Sequence, residues 1–240
     1  MRLSGRGDLQ IREMSIHSGF NRFAEGSCMI KCGNTQVICT ASVDEFVPPF
    51  LRGKGSGWIT AEYGMLPRST DERMKREAGQ GKQTGRTQEI QRLIGRSLRA
   101  MVDLSELGER QFIVDCDVIQ ADGGTRCASI TGAYVALYMA IEKAHRRGLV
   151  KRMPKITQIA AVSCGIVGGK TIVDLDYLED SNADVDANFI MADGEKIIEI
   201  QACAEKKHFN EKQLLEMLKY SKEAIVQIMQ IQNDALKLNR

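Results

Sequence analysis

Three glycine-centred turns, each set between apolar runs, do most to limit what this chain can become. Gly33 and Asn34 interrupt NRFAEGSCMIKCGNTQVICTASV (21–43). Gly168 and Gly169 interrupt QIAAVSCGIVGGKTIVDLD (158–176), and Asp193 and Gly194 bend NFIMADGEKIIEI (188–200). Residues that tolerate positive φ suit tight hairpin turns, so each stretch reads as a β-hairpin. Helical patterns follow the hairpins in both halves. Residues 125–147 carry apolar residues at helical spacing and stop near Gly148. Asn210 with Gln213 starts a last helix, whose apolar face holds Leu214, Leu218, Ile225 and Met229. Strands followed by helix, twice, define an α+β protein of two similar units without detectable sequence repetition. The basic, proline-containing VKRMPK (150–155) is the expected linker between units 1–149 and 156–240.

Other segments are plainer. IREMSI (11–16) and RQFIVDCDVI (110–119) read as strands. Ile90, Leu93, Ile94, Leu98 and Met101 give one face of a helix, with Arg92, Arg96 and Arg99 on another stripe. Ser69 with Glu72 resembles a capping box, which predicts a short helix carrying Arg73 and Arg76 on one side. Residues 47–70 show little periodicity and read as a loop, and 233–240 are expected to fray.

Several function classes drop out. No apolar run approaches membrane-spanning length, and the first residues lack a signal-peptide stretch, so a cytoplasmic protein without membrane association is expected. The seven cysteines are odd in number and contain no C-x-x-C pair, which favours buried free thiols over disulfides or a zinc site. The three histidines form no metal-ligand spacing. The net charge of +2 conceals an arginine-rich stretch, from Arg68 to Arg99, and an acidic one, from Asp174 to Asp186.

Chemistry concentrates in DCDVIQADGGTRCASITGAY (115–134). Gly123 and Gly124 let the backbone turn closely. Thr125 brings a hydroxyl, Arg126 a permanent charge, and the helix start brings free N–H groups, the components of an oxyanion site. A glycine turn with a threonine cap and a surface arginine explains the same residues equally well. Arg86 follows Gly85 at a second helix start and could clasp the same anion. Asp180, Asp184 and Asp186 cluster after a strand-like run, where they could hold Mg²⁺ or supply a general acid; Asp174 and Asp176 share a face of that strand. Solvated strand and turn carboxylates account for that cluster too. Arginines with carboxylates suit phosphoryl or nucleotidyl transfer.

Five long motifs in order resemble the ribonuclease PH family over nearly the whole chain: FAEGSCMIKCGNTQVICTA (23–41), GWITAEYGMLPRSTDER (57–73), GKQTGRTQEIQRLIGRSLRA (81–100), DCDVIQADGGTRCASITGAY (115–134) and LDYLEDSNADVDANF (175–189). The resemblance implies units folded like the second domain of ribosomal protein S5, and a homohexamer built as a trimer of dimers. It implies phosphate-dependent 3′-to-5′ trimming of tRNA precursors and other RNAs with single-stranded 3′ ends. By resemblance, inorganic phosphate is the co-substrate, bound by Arg86, Gly124, Thr125 and Arg126. Asp180 and Asp186 match the essential acidic pair and would be both the catalytic residues and the Mg²⁺ ligands. Arg68, Arg73 and Arg76 match residues on the RNA path. Cys203 and Lys206 depart from the family's usual threonine and glycine. Some relatives are inert, RNA-binding ring subunits of exosome-like assemblies that have lost the phosphate-binding arginines, whereas Arg86 and Arg126 are present here.

Overall fold

A computed structural model describes residue 2 and residues 4–237 of the 240-residue chain. The first unit holds β1 (Met14–Ser18), β2 (Gly26–Cys32), β3 (Thr35–Asp44), β4 (Trp58–Met65), α1 (Gly85–Arg99), β5 (Gln111–Gln120) and α2 (Thr125–Arg146). Its five-stranded sheet runs β1-β2-β3-β5-β4, antiparallel except where β4 pairs with β5. The second holds β6 (Ile159–Val167), β7 (Lys170–Val173), α3 (Tyr177–Asn182), β8 (Val185–Ala192), β9 (Lys196–Ala204) and α4 (Glu211–Lys237). Its four-stranded antiparallel sheet runs β7-β6-β8-β9.

Each unit is therefore a β/α layer, and the two pack together through α2. That helix is buried nearly all round, with Ile130, Val135, Leu137 and Ile141 fully enclosed. It lies against β2 and β3 of one sheet and β6 of the other. A helix wedged between two sheets cannot carry a polar face without burying it, which is why its sequence is apolar on every side. Gly26 on β2 lets the strand meet the backbone of α2, and Gly132 on α2 makes room for side chains of β2 and β3. A methyl at Gly26 would collide with the carbonyl of Ala136, and one at Gly132 with the Cys39 thiol.

The three glycine turns close the hairpins expected of them, with positive φ at Gly33, Gly168, Gly169, Asp193 and Gly194. Asn210 and Gln213 cap α4 reciprocally. α4 continues through Lys237, so 233–237 are helical rather than frayed, and 238–240 lie outside the described residues. Residues 150–155 are without regular structure, although Val150 is buried.

Three further expectations fail. Residues 47–70 contain a strand, β4, in which Ile59, Ala61 and Tyr63 face the core. The signal is a period-2 alternation of only three residues, diluted by flanking glycines. No α-helix follows Ser69. Its hydroxyl is buried without a partner, its carbonyl accepts from Ala121, and 70–77 run as bends and coil. Tertiary pairing outcompetes the local capping box, so Arg73 and Arg76 share no helical face. Finally, β1 begins at Met14 rather than 11, because the Arg12 amide is taken by the Asp174 carboxylate.

Candidate active site

Both arginines singled out at helix starts occupy the second position of their helices. Thr84 caps α1 by accepting from the Thr87 amide, which places Arg86 one residue past Gly85. At α2 the cap is Gly124, left-handed at φ 66, preceded by Gly123 at φ 74. Thr125 is thus the first helical residue, not the cap. Its buried hydroxyl meets the Tyr63 hydroxyl at 3.0 Å. Two positive-φ residues in a row require glycine, and Gly123 also lies directly against the backbone of Leu175 to Tyr177, where a side chain would clash. The glycines therefore bring the start of α2 up to the start of α3.

Arg126 is held by Gln201 on β9 at 2.9 Å, and Glu89 on α1 stands 3.9 Å away. Gln201 donates in turn to Glu89. Arg86 is solvent-exposed. Arg86 and Arg126 both lie close enough to act electrostatically on Tyr63 and on Asp180. Burial pushes the Tyr63 phenol up, against the pull of Thr125 and the two arginines.

The carboxylates come from the second unit. Asp176 caps α3 in a reciprocal box with Glu179, which fixes Asp180 on the following turn. Asp186 sits in the middle of the sheet, opposite Gly165 and Cys203. It shares a face of β8 with Asn188, whose side chain meets Cys127 on α2, so Asp186 is directed toward the α2 start. Desolvation raises the Asp180 carboxyl most, opposed by Arg126 and Arg86. Asp186 is also raised, first by burial, then by the charges of Asp180 and Glu205. Its Oδ1 is buried with no hydrogen-bond partner among the described residues.

The structure thus brings Arg86, Gly124, Thr125, Arg126, Asp180 and Asp186 into one neighbourhood. Asp184, Asp174 and Asp176 are engaged otherwise. Asp184 is buried and pairs with Lys207, Asp174 pairs with Arg12, and Asp176 is a helix cap; none is the solvated strand carboxylate its spacing suggested. Arg96 pairs with Glu199, and Arg99 bonds the Ile59 carbonyl and stacks on Trp58, so both serve packing.

One group of side chains near Asp186 has the spacing to hold a metal ion. Ligand atoms of Asp186, Cys203 and Glu205 lie within 4.8 Å of one another, and Asp180 does not join that set. The two carboxylates, with the buried Oδ1 of Asp186 unpartnered among the described residues, suit a hard divalent cation such as Mg²⁺; a thiol does not. Asp186 and Glu205 would hold such an ion here. Sequence reading missed Glu205, Gln201 and Glu89. Gln201 and Glu205 lie far along the chain from the motifs they serve, so nothing local marks them.

Beside Arg86 opens a cleft of about 1090 Å³ between β4, β5 and residues 74–84. Lys75, Arg76 and Lys82 overhang it, while Glu62, Asp115 and Asp117 form its floor. Burial and Glu62 raise both aspartates. Arg68 and Arg73 are exposed outside the cleft lining.

Two β/α layers joined through a central helix thus bring two arginine-bearing helix starts of one unit near two aspartates of the other. The sequence matches domain 1 of the 3′ exoribonuclease family over residues 10–141 and domain 2 over 157–224, and the chain belongs to that family. The family includes catalytic exoribonucleases and inactive ring subunits. Solved structures share the fold at low identity. Rice (Oryza sativa) Rrp46 superposes with a TM-score of 0.79 at 17% identity, covering 98% of this chain and 100% of that one. The Archaeoglobus fulgidus exosome with RNA bound to the active site gives 0.79 at 23%, covering 95% and 91%. An archaeal exosome core gives 0.76 at 22%, covering 97% and 91%. Among the described residues, no helix is long and apolar enough to cross a membrane.

Proposed function

We propose that this chain is a phosphorolytic 3′-to-5′ exoribonuclease that trims tRNA precursors, transferring terminal nucleotides to inorganic phosphate. The observation that supports the reading is the close packing of the Gly123–Gly124 turn, which starts the Arg126 helix, against the Leu175–Tyr177 backbone that leads to Asp180, with Arg86 and Arg126 both lowering the Asp180 carboxyl against its desolvation. A phosphate oxygen attacks the last phosphodiester of the RNA. The bond from that phosphorus to the penultimate 3′ oxygen breaks, a nucleoside 5′-diphosphate leaves, and the 3′ oxygen takes a proton. Arg86, Arg126, the Thr125 hydroxyl and the Gly124 turn hold the attacking anion against its repulsion by the RNA phosphate. Asp186, with its raised carboxyl, is suited to deliver the proton, and Asp180 faces the arginines to orient the reacting groups. Mg²⁺, when bound, would neutralise charge beside Asp186 and Glu205. One phosphate ester replaces another, so the step is reversible.

The RNA backbone would run past Arg68, Arg73 and Arg76, with Arg76 at the cleft mouth. Assembly as a homohexamer, a trimer of dimers, and a cytoplasmic setting complete the reading. A second reading, an RNA-binding ring subunit without turnover, is favoured by the likeness in shape to exosome components. One assay separates them: incubate RNA with and without inorganic phosphate and identify the released nucleotide. Phosphate-dependent diphosphates support phosphorolysis, monophosphates without phosphate mean hydrolysis, and RNA binding without release means the inert subunit.

A further inference from the structure

The two halves of the site come from different units, so something must fix their spacing. α3 has six residues, too few to hold itself in place. The anion turn at Gly123–Gly124 is a glycine turn without side-chain capping of its own. We infer that Arg12 is the positioning residue that clasps the anion turn to the carboxylate helix, an inference that rests on the function proposed above.

The geometry is that of a buried fork. Arg12 is 6% exposed and Asp174 4%. Arg12 Nε donates to Asp174 Oδ2 at 3.0 Å and NH2 to Oδ1 at 2.7 Å, and its backbone amide adds a third bond to Oδ2 at 2.7 Å. The remaining nitrogen, NH1, donates to the Asp122 carbonyl at 2.5 Å, at the entry to the glycine turn. The guanidinium lies against Gly124, where any side chain would strike NH2. One side chain therefore ties the turn before α2 to the residue where β7 gives way to α3.

The Asp174 end has its own consequence. Asp174 is left-handed at φ 55, a conformation that aspartate adopts more readily than most residues other than glycine. Its three bonds to Arg12 hold it there, and the chain then turns directly into the Asp176 cap of α3. Burial would raise the Asp174 carboxyl, but the Arg12 hydrogen bond and charge outweigh it and keep the group ionised. Arg2 braces the far side of the same short helix by gripping both oxygens of Glu179, next to Asp180. On the turn side, the Thr35 hydroxyl donates to the Gly123 carbonyl and accepts from the Asp122 amide. Thr35 thus touches the turn alone, Arg2 is on the helix side, and Arg12 touches both.

The test compares Arg12→Lys with Thr35→Val in the full chain. Lysine keeps the charge, but one ammonium cannot span the Asp174 carboxylate and the Asp122 carbonyl together. Native-state amide exchange, without RNA or phosphate, should quicken at 122–126 and at 177–182 in Arg12→Lys, with β6 and β8 unchanged. Thr35→Val should quicken only 122–126. In the phosphorolysis assay, Arg12→Lys should raise the phosphate KM and lower kcat, each by about tenfold, as misplacement of both partners does. Thr35→Val should raise KM alone. Should Arg12→Lys fail to fold, Asp174→Asn replaces it and must show the same paired loosening. Unchanged exchange at either segment, or a uniform rise that includes the sheets, overturns the clasp. A wild-type protein with no phosphorolysis overturns the proposed function instead, and the exchange pattern still decides the role of Arg12.

Discussion

Asp186→Asn should inactivate the protein and stabilise its fold, two effects of opposite sign from one atom. The residue stands mid-sheet between Gly165 and Cys203, with Oδ1 buried and unpartnered. Burial, Asp180 and Glu205 all disfavour its charge, and Arg126 only partly compensates. The folded carboxyl is therefore raised above its ordinary 3.8. The folded state binds the proton more tightly than the unfolded chain, so stability falls as pH rises from 3.8 through the folded value. Asparagine removes the charge, keeps the shape and can donate an amide proton to a neighbouring carboxylate. A gain of about 1 kcal/mol is reasonable for a half-buried group in contact with solvent, or about 2–4 °C in Tm for a chain of this size. The gain should shrink on acidification, as wild-type Asp186 takes up its own proton. Turnover should drop by about 10²–10⁴-fold, the range for a lost general acid. Melting curves across pH, with single-turnover release of diphosphates, read both effects. A mutant that melts lower than wild type at neutral pH, or that turns over normally, refutes the assignment.

Arg126→Ala should cost about 3 kcal/mol of transition-state stabilisation, near two decades in rate; rate against phosphate concentration, with RNA affinity measured separately, shows whether the loss is specific to phosphate. Arg73→Ala with Arg76→Ala should lower the salt slope of single-strand RNA binding by about 0.7 for each RNA phosphate no longer neutralised, and an unchanged slope returns both residues to the surface. Asp115→Asn should raise the melting temperature at neutral pH, because burial and the charges of Glu62 and Asp117 penalise its ionised form, and a lowered value would mean the cleft floor needs its charge. Gly26→Ala should destabilise by about 2 kcal/mol or more, since its methyl meets the α2 backbone, which cannot yield as a side chain would; chemical denaturation measures it.

How much of this was legible depends on whether a residue's partner lies near it in sequence. The hairpins at Gly33, Gly168 and Gly194 were readable because turn geometry is a local demand of the backbone. The α4 cap at Asn210 was readable for the same reason. The same capping pattern at Ser69 misled, because Ala121 claims the Ser69 carbonyl and draws 66–70 along the end of β5. Two chemically similar local signals thus had opposite outcomes, decided by a strand about 50 residues away. β4 was lost to the same cause in reverse: its register is set by β5, and only Ile59, Ala61 and Tyr63 record it in the sequence.

The candidate site divides along that line as well. Arg86 and Arg126 could be found because a glycine before an arginine at a helix start is a contiguous signature. Asp180 and Asp186 could be found only as members of a cluster that also held Asp174, Asp176 and Asp184. What sorts them is the partner each has: Arg12 for Asp174 and Lys207 for Asp184 across the fold, and the local Glu179 amide for Asp176. The two left without such a partner are Asp180 and Asp186, and both are raised rather than lowered. A carboxylate that is satisfied contributes to stability and is held ionised, as Asp174 is. A carboxylate kept in a desolvated place among like charges costs stability, and that cost points to chemistry rather than to structure.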